Sequence, residues 1–237
     1  MMARRTQAQL AQTRQDLIDS ATRCFAAKGF SQTQVAEIAA GAGIGISAFY
    51  GQFKGGKEEL FLLIIRQMFD ELHAGVVTIR QGLRIQSPLD TLLLTQHIYE
   101  MVFQTLNRHR HITLSAFRSG FGSLPALENL YWDICDAVAA QMSLELQRSN
   151  AAGLLNITRP TDLSDATVGM VHQLAHRMVA QGSPTPTQAA RMCTQFTVGA
   201  FLLNMPRPML QQLLPLLTAL PDVSTDPSDA TTASSTL

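Results

Sequence analysis

Apolar residues recur every three or four positions along most of the chain, which is the period of an amphipathic helix. The short runs that alternate between apolar and polar residues lie inside longer segments with helical spacing, so they do not indicate half-buried strands. The pattern therefore predicts an all-α protein. In the N-terminal part we expect a long helix from Leu10 that ends at Gly29 and a short helix that buries Val35, Ile38 and Ala39. A third helix should start near Ile46 and end after Phe53, by Gly55-Gly56, and a fourth should begin at Lys57. Six further helices are expected over residues 89–106, 112–119, 124–153, 162–181, 187–204 and 208–220, separated by Pro or Gly.

Polar residues between the first two helices predict where the second one begins. Ser31 and Thr33 are both candidate N-caps, since a short side-chain oxygen can accept a hydrogen bond from the free N–H groups of the first turn. Ser31 also has capping-box spacing with Gln34. The second helix is therefore expected to start close after these residues.

The two short helices are joined by a Gly-Ala-Gly turn at 41–43 and follow one long helix, which is the order of a helix-turn-helix. Gly45 is a tolerated N-cap for the second short helix, and it places Ile44 and Phe49 at the two positions of a hydrophobic staple. In such a motif that helix lies in the major groove of DNA. We expect a three-helix DNA-binding domain over residues 1–56, a larger helical domain over 57–220, and a tail over 221–237 whose composition predicts disorder.

The composition limits the classes of function. The chain has 237 residues, of which 46% are hydrophobic and 15% charged, so it can fold into packed domains. Its 18 basic and 18 acidic residues cancel, so any attraction to nucleic acid must be local, and the positive surplus lies in the first 66 residues. No apolar run is long enough to cross a bilayer and the first residues are not signal-like, so a cytoplasmic protein is expected. Cys24, Cys135 and Cys193 are expected to be buried thiols without a disulfide or a metal.

A continuous set of residues in the N-terminal segment carries a resemblance to a known family. The set comprises Gly29, Phe30, Thr33, Val35, Ile38, Ala39, Ala42, Gly43, Ile44, Phe49, Tyr50, Phe53, Lys57, Glu58, Glu59 and Leu60. It closely resembles the DNA-binding signature of the TetR family of one-component transcriptional regulators. The motif does not reach beyond about residue 70. A helical remainder of this length is similar to the ligand-binding and dimerisation domain of that family.

The resemblance implies which residues contact DNA. Tyr50 and Lys57 match family positions that contact backbone phosphates, and Lys57 stands at a helix start, where free N–H groups also favour an anion. Thr33 and Gln34 match another phosphate contact, at the start of the second helix. The positions that would read bases are Ile46, Ser47, Ala48 and Gln52.

The chain departs from the common family pattern at three positions. Where this chain has Gly45, family members usually carry a capping Ser or Thr. They often carry a Lys in place of Ile46 and an Arg in place of Gly51. The recognition helix is therefore uncharged before Lys54. We expect it to use hydroxyl and amide hydrogen bonds and contacts with thymine methyl groups. For Ile46 the alternative, an exposed side chain that contacts no base, is equally well supported. Much of the affinity would come from cations on phosphates: Arg4, Arg5, Arg14, Lys54 and Lys57.

Two motifs suggest other chemistry, and neither is complete. Residues 51–57 match the first seven positions of a phosphate-binding loop, GxxxxGK, but Glu58 stands where a Ser or Thr would hold magnesium. His172 and His176 have the spacing of two metal ligands, yet Gln173 stands where a zinc peptidase has its catalytic Glu, and no third ligand is evident. No cofactor or metal is expected. An all-helical enzyme, or a ligand-binding protein with a central apolar pocket, remains the alternative to a DNA-binding regulator.

The middle helices supply candidates for a ligand pocket, which needs a mostly apolar lining with a few polar groups. Phe and Met are frequent there and charges are scarce, which favours a hydrophobic or aromatic small molecule over a sugar or a nucleotide. Each candidate is also the kind of residue that fills an ordinary core. The candidates are Phe69, His97, Met101, Phe117, Phe121, Trp132 and Met170.

The family forms its dimer through the last two long helices of the domain, and the matching stretches here are 162–181 and 187–204. Gly199 lies in mid-helix, where glycine costs about 1 kcal/mol, so its presence suggests a close approach of two backbones. The alternative is that both stretches are core helices within one chain. The expected interface residues are Val171, Leu174, Ala175, Met178, Cys193, Phe196, Thr197, Ala200 and Phe201. The resemblance thus implies a homodimer that binds a palindromic operator in double-stranded DNA, usually as a repressor, and releases it when a small molecule fills the helical domain.

Overall fold

The computed structural model describes residues 7–82, 88–120 and 124–211, and all regular secondary structure in these ranges is helical. The prediction of an all-α fold is confirmed. None of the described helices is long and apolar enough to span a membrane. The tail 221–237 and most of the helix expected over 208–220 lie outside the described residues. The helices are α1 (Gln7–Gln32), α2 (Val35–Gly41), α3 (Ile46–Gln52), α4 (Gly56–Gly82), α5 (Pro88–Arg108), α6 (Arg110–Gly120), α7 (Pro125–Ala151), α8 (Pro160–Gln181) and α9 (Pro186–Leu203).

Helix α1 is broken at Gly29 (φ 79°, ψ 170°), the residue at which the sequence predicts its end. The positive φ is a conformation that glycine adopts at little cost. Neither Ser31 nor Thr33 caps α2, so that prediction is wrong. The N-cap is Gln34, whose N–H donates to Glu37 Oε2 (2.9 Å), whereas the Thr33 hydroxyl donates back to the Gly29 carbonyl at the break (2.8 Å).

The third and fourth helices begin close to where the sequence places them. Gly45 is the N-cap of α3, and Ile44 packs against the core that contains Phe49, as the staple requires. Helix α4 begins at Gly56, one residue before the expected Lys57. The five later helices start and end within a few residues of the predicted ranges, because Pro residues open most of them.

The N-terminal core is built around fully buried aromatic rings. Phe25 of α1 and Phe61 of α4 meet edge-to-face at 4.9 Å, and Phe49 of α3 joins them. Ile112 of α6 and Leu127 of α7 pack into the same core. Side chains from both sides of the domain boundary predicted at residue 56 therefore pack in one core. The division into two domains stays a prediction.

A second core lies among the later helices. It contains Met68 of α4, Phe103 of α5, Met178 of α8 and Cys193 of α9. Since Phe61 and Met68 both belong to α4, this helix contributes to the two cores at once. It forms the covalent link between the DNA-binding part and the rest of the chain, and α6 also packs against α1.

The three cysteines are free thiols. Cys193 is buried, as expected, whereas Cys24 and Cys135 are only half-buried, so the prediction of three buried thiols holds for one of them.

Candidate DNA-binding interface

Helix α3 is held from one side and open on the other. Phe49 and Phe53 are fully buried and their ring centroids lie 5.8 Å apart, which fixes the inner face of the helix. On the outer face the side chains of Ile46 and Tyr50 are 50% and 47% exposed, and Ser47 is also exposed. A large apolar side chain and an aromatic ring that face outward from a short helix form a surface suited to bind another molecule.

The other candidate residues of this helix are less accessible. Ala48 and Gln52 are half-buried, and Tyr50 packs its ring edge-to-face against Phe49 at 5.4 Å. Tyr50 is therefore oriented by the core while part of its ring stays exposed. The Gly51–Lys57 segment that resembles a phosphate-binding loop runs from the end of α3 to the start of α4, with no strand before it in the part of the chain described.

Arg14 makes contacts within the protein that sequence reasoning did not predict. Its Nη1 donates to the Gln52 carbonyl (3.2 Å), and its guanidinium lies 4.3 Å from the centroid of the Phe53 ring. These contacts join α1 to the last turn of α3. Arg14 thus stabilises the position of the recognition helix, and its predicted phosphate contact stays a prediction.

The two residues expected to bind phosphate at the start of α2 differ in exposure. The Thr33 side chain is 1% exposed and its hydroxyl is already bonded to Gly29, so this side chain does not reach the surface, and the phosphate contact at Thr33 stays a prediction. Gln34 is exposed at the N-terminus of α2 and stays a candidate.

Lys57 is half-buried, and its ammonium donates to three backbone carbonyls. The acceptors are Phe30 (2.9 Å), Ser31 (3.2 Å) and Thr33 (2.8 Å), and the ammonium also lies 4.7 Å from the centroid of the Phe30 ring. Burial lowers the pKa of Lys57 below its ordinary value. An ammonium has three N–H donors, so all of them are engaged within the protein. Its predicted phosphate contact stays untested.

The remaining cations of the N-terminal region are few. Lys54 is exposed and makes no ion pair with a described residue. Lys28 pairs with Glu37 of α2, which holds the pKa of that carboxyl below its ordinary value. Arg4 and Arg5 lie outside the described residues. Lys54 is therefore the best-placed described candidate for a simple phosphate contact.

The residues expected to form a ligand pocket do not meet in one cavity. His97 and Met101 line an open cleft of about 460 Å³ between α4 and α5, together with Ile79, Glu100 and Gln104. The other described candidates lie elsewhere: Phe69, Phe117 and Met170 pack on the second core, and Trp132 is 49% exposed on α7. Phe121 lies outside the described residues.

A cluster of aromatic and histidine rings joins α6, α7 and α8. Phe117 lies 5.1 Å from the ring of His172 and 5.3 Å from that of His176, and the Tyr131 hydroxyl is hydrogen-bonded to His172 Nδ1. Burial, and then the neighbouring His176, lower the pKa of His172, while burial raises that of Tyr131. No group of three side chains suited to hold a metal ion occurs among the described residues. The two histidines are packing residues of this cluster.

Most residues expected at a dimer interface instead face the interior of their own chain. Leu174, Ala175, Met178, Cys193 and Thr197 are buried in or beside the second core, and the Thr197 hydroxyl bonds to Tyr99 of α5 (2.7 Å). These five side chains pack within their own chain, and their place at a dimer interface stays a prediction. Val171 and Phe201 pack partly on intrachain clusters, and Ala200 is half-buried.

Phe196 alone of the expected interface residues is exposed, and it belongs to a different face of α9. This outer face carries Met192, Phe196 and Leu203, which are 49%, 50% and 88% exposed. A Cβ added at Gly199 would meet no atom within 4 Å. One apolar surface open to a partner is therefore the outer face of α9, defined here by Met192, Phe196, Gly199 and Leu203.

The N-terminal segment is similar in sequence to known DNA-binding proteins. A family model described as bacterial regulatory proteins, tetR family, matches residues 17–64. Over 60 residues the chain is 43% identical to the HTH-type transcriptional regulator AcrR of Shigella flexneri, which covers 25% of this chain and 27% of AcrR. The uncharacterized HTH-type transcriptional regulator YdgC of Bacillus subtilis is 24% identical over 182 residues, which covers 76% of this chain and 87% of YdgC.

A solved structure extends the similarity to most of the chain. SmeT, in the SmeT–triclosan complex, superimposes on this chain with a TM-score of 0.64 at 20% identity, over 83% of this chain and 93% of that one. At this identity the comparison shows a common fold.

A long helix, two short helices around a glycine turn and an open face on the second of them define a helix-turn-helix DNA-binding protein. The match at 17–64 identifies this segment as similar to the DNA-binding part of bacterial regulators of the tetR family, and the similar folds extend that likeness to most of the chain. Since the proteins that it resembles are regulators, the alternative of an all-helical enzyme is set aside.

Proposed function

We propose that this protein is a cytoplasmic, homodimeric repressor that binds a palindromic operator and leaves it when a small hydrophobic molecule binds the helical domain. The observation that carries the DNA-binding part is the outer face of α3. Ile46, Ser47 and Tyr50 are exposed there, while Phe49 and Phe53 hold the helix from beneath. A helix presented in this way fits the major groove, where hydroxyl groups and apolar contacts with thymine methyls distinguish base pairs.

Dimer formation is supported by the outer face of α9. Several large apolar side chains on one helix face of a soluble protein indicate a contact surface. Pairing two copies through this face would present two recognition helices, and a palindromic operator has two half-sites about 34 Å apart to receive them.

The cleft between α4 and α5 supports the proposal that a small-molecule effector binds the helical domain. Its volume of about 460 Å³ is within the range of small-molecule sites, and it is lined by an aliphatic chain, a thioether, an imidazole and an amide beside one carboxylate. One of the structural relatives was solved with triclosan, a small aromatic molecule. A ligand can release DNA only if it binds the DNA-incompetent conformation more tightly, with a coupling of about 1–3 kcal/mol in typical cases.

Selection of operator fragments from random DNA, followed by binding measurements on variants, tests the proposal. Ser47→Ala and Gln52→Ala should each weaken operator binding by about 1–3 kcal/mol, mainly at particular base pairs. Gln147→Ala on the exposed surface of α7 serves as the control and should bind like the unchanged protein. Equal losses on operator and on random DNA would contradict base reading by α3.

A further inference from the structure

The turn between α1 and α2 is held by two helices from outside it. The break at Gly29 ends the regular hydrogen bonding of α1, and the chain must then turn sharply before α2 begins at Val35. Phe30 lies at the centre of this turn. Its ring packs against those of Phe25 (5.8 Å) and Phe61 (4.9 Å), so the residue is anchored in the N-terminal core.

Both the N–H and the carbonyl of Phe30 form hydrogen bonds with side chains of other helices. Its N–H donates to Ser115 Oγ of α6 (3.0 Å), and its carbonyl accepts from Lys57 Nζ of α4 (2.9 Å). The Ser115 side chain is buried, so its hydroxyl is held against this N–H, and removing the hydroxyl would remove the acceptor. The N–H of Thr33 also donates to the Phe30 carbonyl (3.3 Å), which closes the turn.

Lys57 binds the rest of the same turn. Its other two protons go to the carbonyls of Ser31 (3.2 Å) and Thr33 (2.8 Å), so one ammonium joins three carbonyls of the turn between α1 and α2. Hydrogen bonds from a charged donor are stronger than neutral ones. A phosphate contact at the same time would require the ammonium to give up at least one of these carbonyls.

We infer that Lys57 and Ser115 are positioning residues that set the direction in which α2 and α3 leave α1, and that Lys57 supports operator binding through this turn rather than through a phosphate contact. The inference rests on the proposed DNA binding. It assigns two side chains, from α4 and α6, to the orientation of the recognition helix. Lys54 has the opposite role, because it is exposed and its charge is available to phosphate.

The dependence of operator affinity on salt separates the two roles. Loss of one phosphate contact lowers the slope of log affinity against log salt by about 0.9. Lys54→Ala should show that decrease. Lys57→Met, which keeps the apolar stem, should weaken operator binding about tenfold or more because three charged hydrogen bonds are lost, but leave the slope unchanged. A slope lowered by the amount of one contact in Lys57→Met would overturn the inference.

Amide hydrogen exchange tests the turn without DNA. The N–H groups of Phe30 and Thr33 should exchange faster in Lys57→Met and in Ser115→Ala, while Lys54→Ala leaves them unchanged. Ser143→Ala is the matched control for Ser115→Ala, since Ser143 is an equally buried helix serine on α7. It should alter neither the exchange of these amides nor operator binding.

The two measurements also distinguish failure of this inference from failure of the proposed function. A protein that selects no operator, yet shows faster exchange at Phe30 in both variants, would contradict the proposed function and keep the turn assignment. Unchanged exchange at Phe30 and Thr33 in folded Lys57→Met, with folding checked by circular dichroism, would overturn the positioning role.

Discussion

Two pairs of helices, α2–α3 and α8–α9, were each expected to present a surface to a partner, and they differ in how well the sequence indicates that surface. In α3 the base-reading candidates Ile46 and Ser47 are exposed, as the DNA motif requires. In α9 the interface candidates Cys193 and Thr197 are buried against the chain's own helices. The difference shows that a motif contains information about which face is outside, whereas hydrophobic periodicity does not.

The physical reason is that α9 is apolar on more than one side. Cys193 and Thr197 face inward to the second core, while Met192 and Phe196, only one position away from each, face outward. A helix in the middle of a bundle can bury one apolar face against its own chain and another against a partner. Periodicity finds both faces and does not rank them.

The largest effect that this comparison predicts is on folding. Cys193→Glu places an unpaired carboxylate in the second core, where the native side chain has 0% exposure. We expect it to lower the free energy of unfolding by more than about 3 kcal/mol, as measured by urea denaturation. Phe196→Glu, three residues further along α9, should remain folded. If Cys193→Glu were as stable as the unchanged protein, α9 would be oriented differently from the structure.

The next effect concerns assembly. Phe196→Glu puts charge on the outer face of α9, so we expect sedimentation to show a shift from dimer to monomer. Operator affinity should fall by about 100-fold or more, because a single recognition helix loses the advantage of bivalent binding. Val138→Glu is the control, since Val138 is 47% exposed on α7 and lies off that face. A Phe196→Glu protein that stays dimeric and binds operator normally would place the dimer contact elsewhere.

Much of the fold could be predicted because its signals are local. Helix ends follow from Gly and Pro, and the break of α1 at Gly29 was expected from that residue alone. The N-cap of α2 was not predictable in this way. The hydroxyl of Thr33 bonds to the carbonyl at the break, and the position of that carbonyl depends on the geometry of the turn.

The candidate DNA-binding interface was predicted less well where a charged side chain donates a hydrogen bond to a backbone carbonyl. Arg14 and Lys57 were expected on phosphates, but their partners in the structure are the carbonyls of residues 24 to 38 positions away in the chain. No sequence pattern marks a carbonyl as an acceptor for a distant cation. Ser115 was missed for the same reason, because a serine within an amphipathic helix has no feature that distinguishes it.

The smallest predicted effect is on the pH dependence of stability, and it arises in the ring cluster of α6, α7 and α8. His172 is packed by Phe117, Tyr131 and His176, with Cys135 beside Tyr131, and its pKa is lowered first by burial and then by His176. Between the lowered pKa of the folded protein and the ordinary value of 6.5, the unfolded chain binds a proton that the folded chain does not. The free energy of unfolding should therefore decrease as the pH falls through this range.

His172→Gln should make that decrease shallower when urea unfolding is compared at pH 7.5 and at lower pH. His97→Gln is the matched substitution of an exposed histidine of the cleft, outside this cluster, and it controls for the loss of a histidine as such. The expected effect is modest because His172 is only about half-buried and water screens part of its charge. If the unchanged protein became more stable on acidification through this range, or if His172→Gln kept the full decrease, the ring cluster of α6, α7 and α8 would not be the source of the pH dependence.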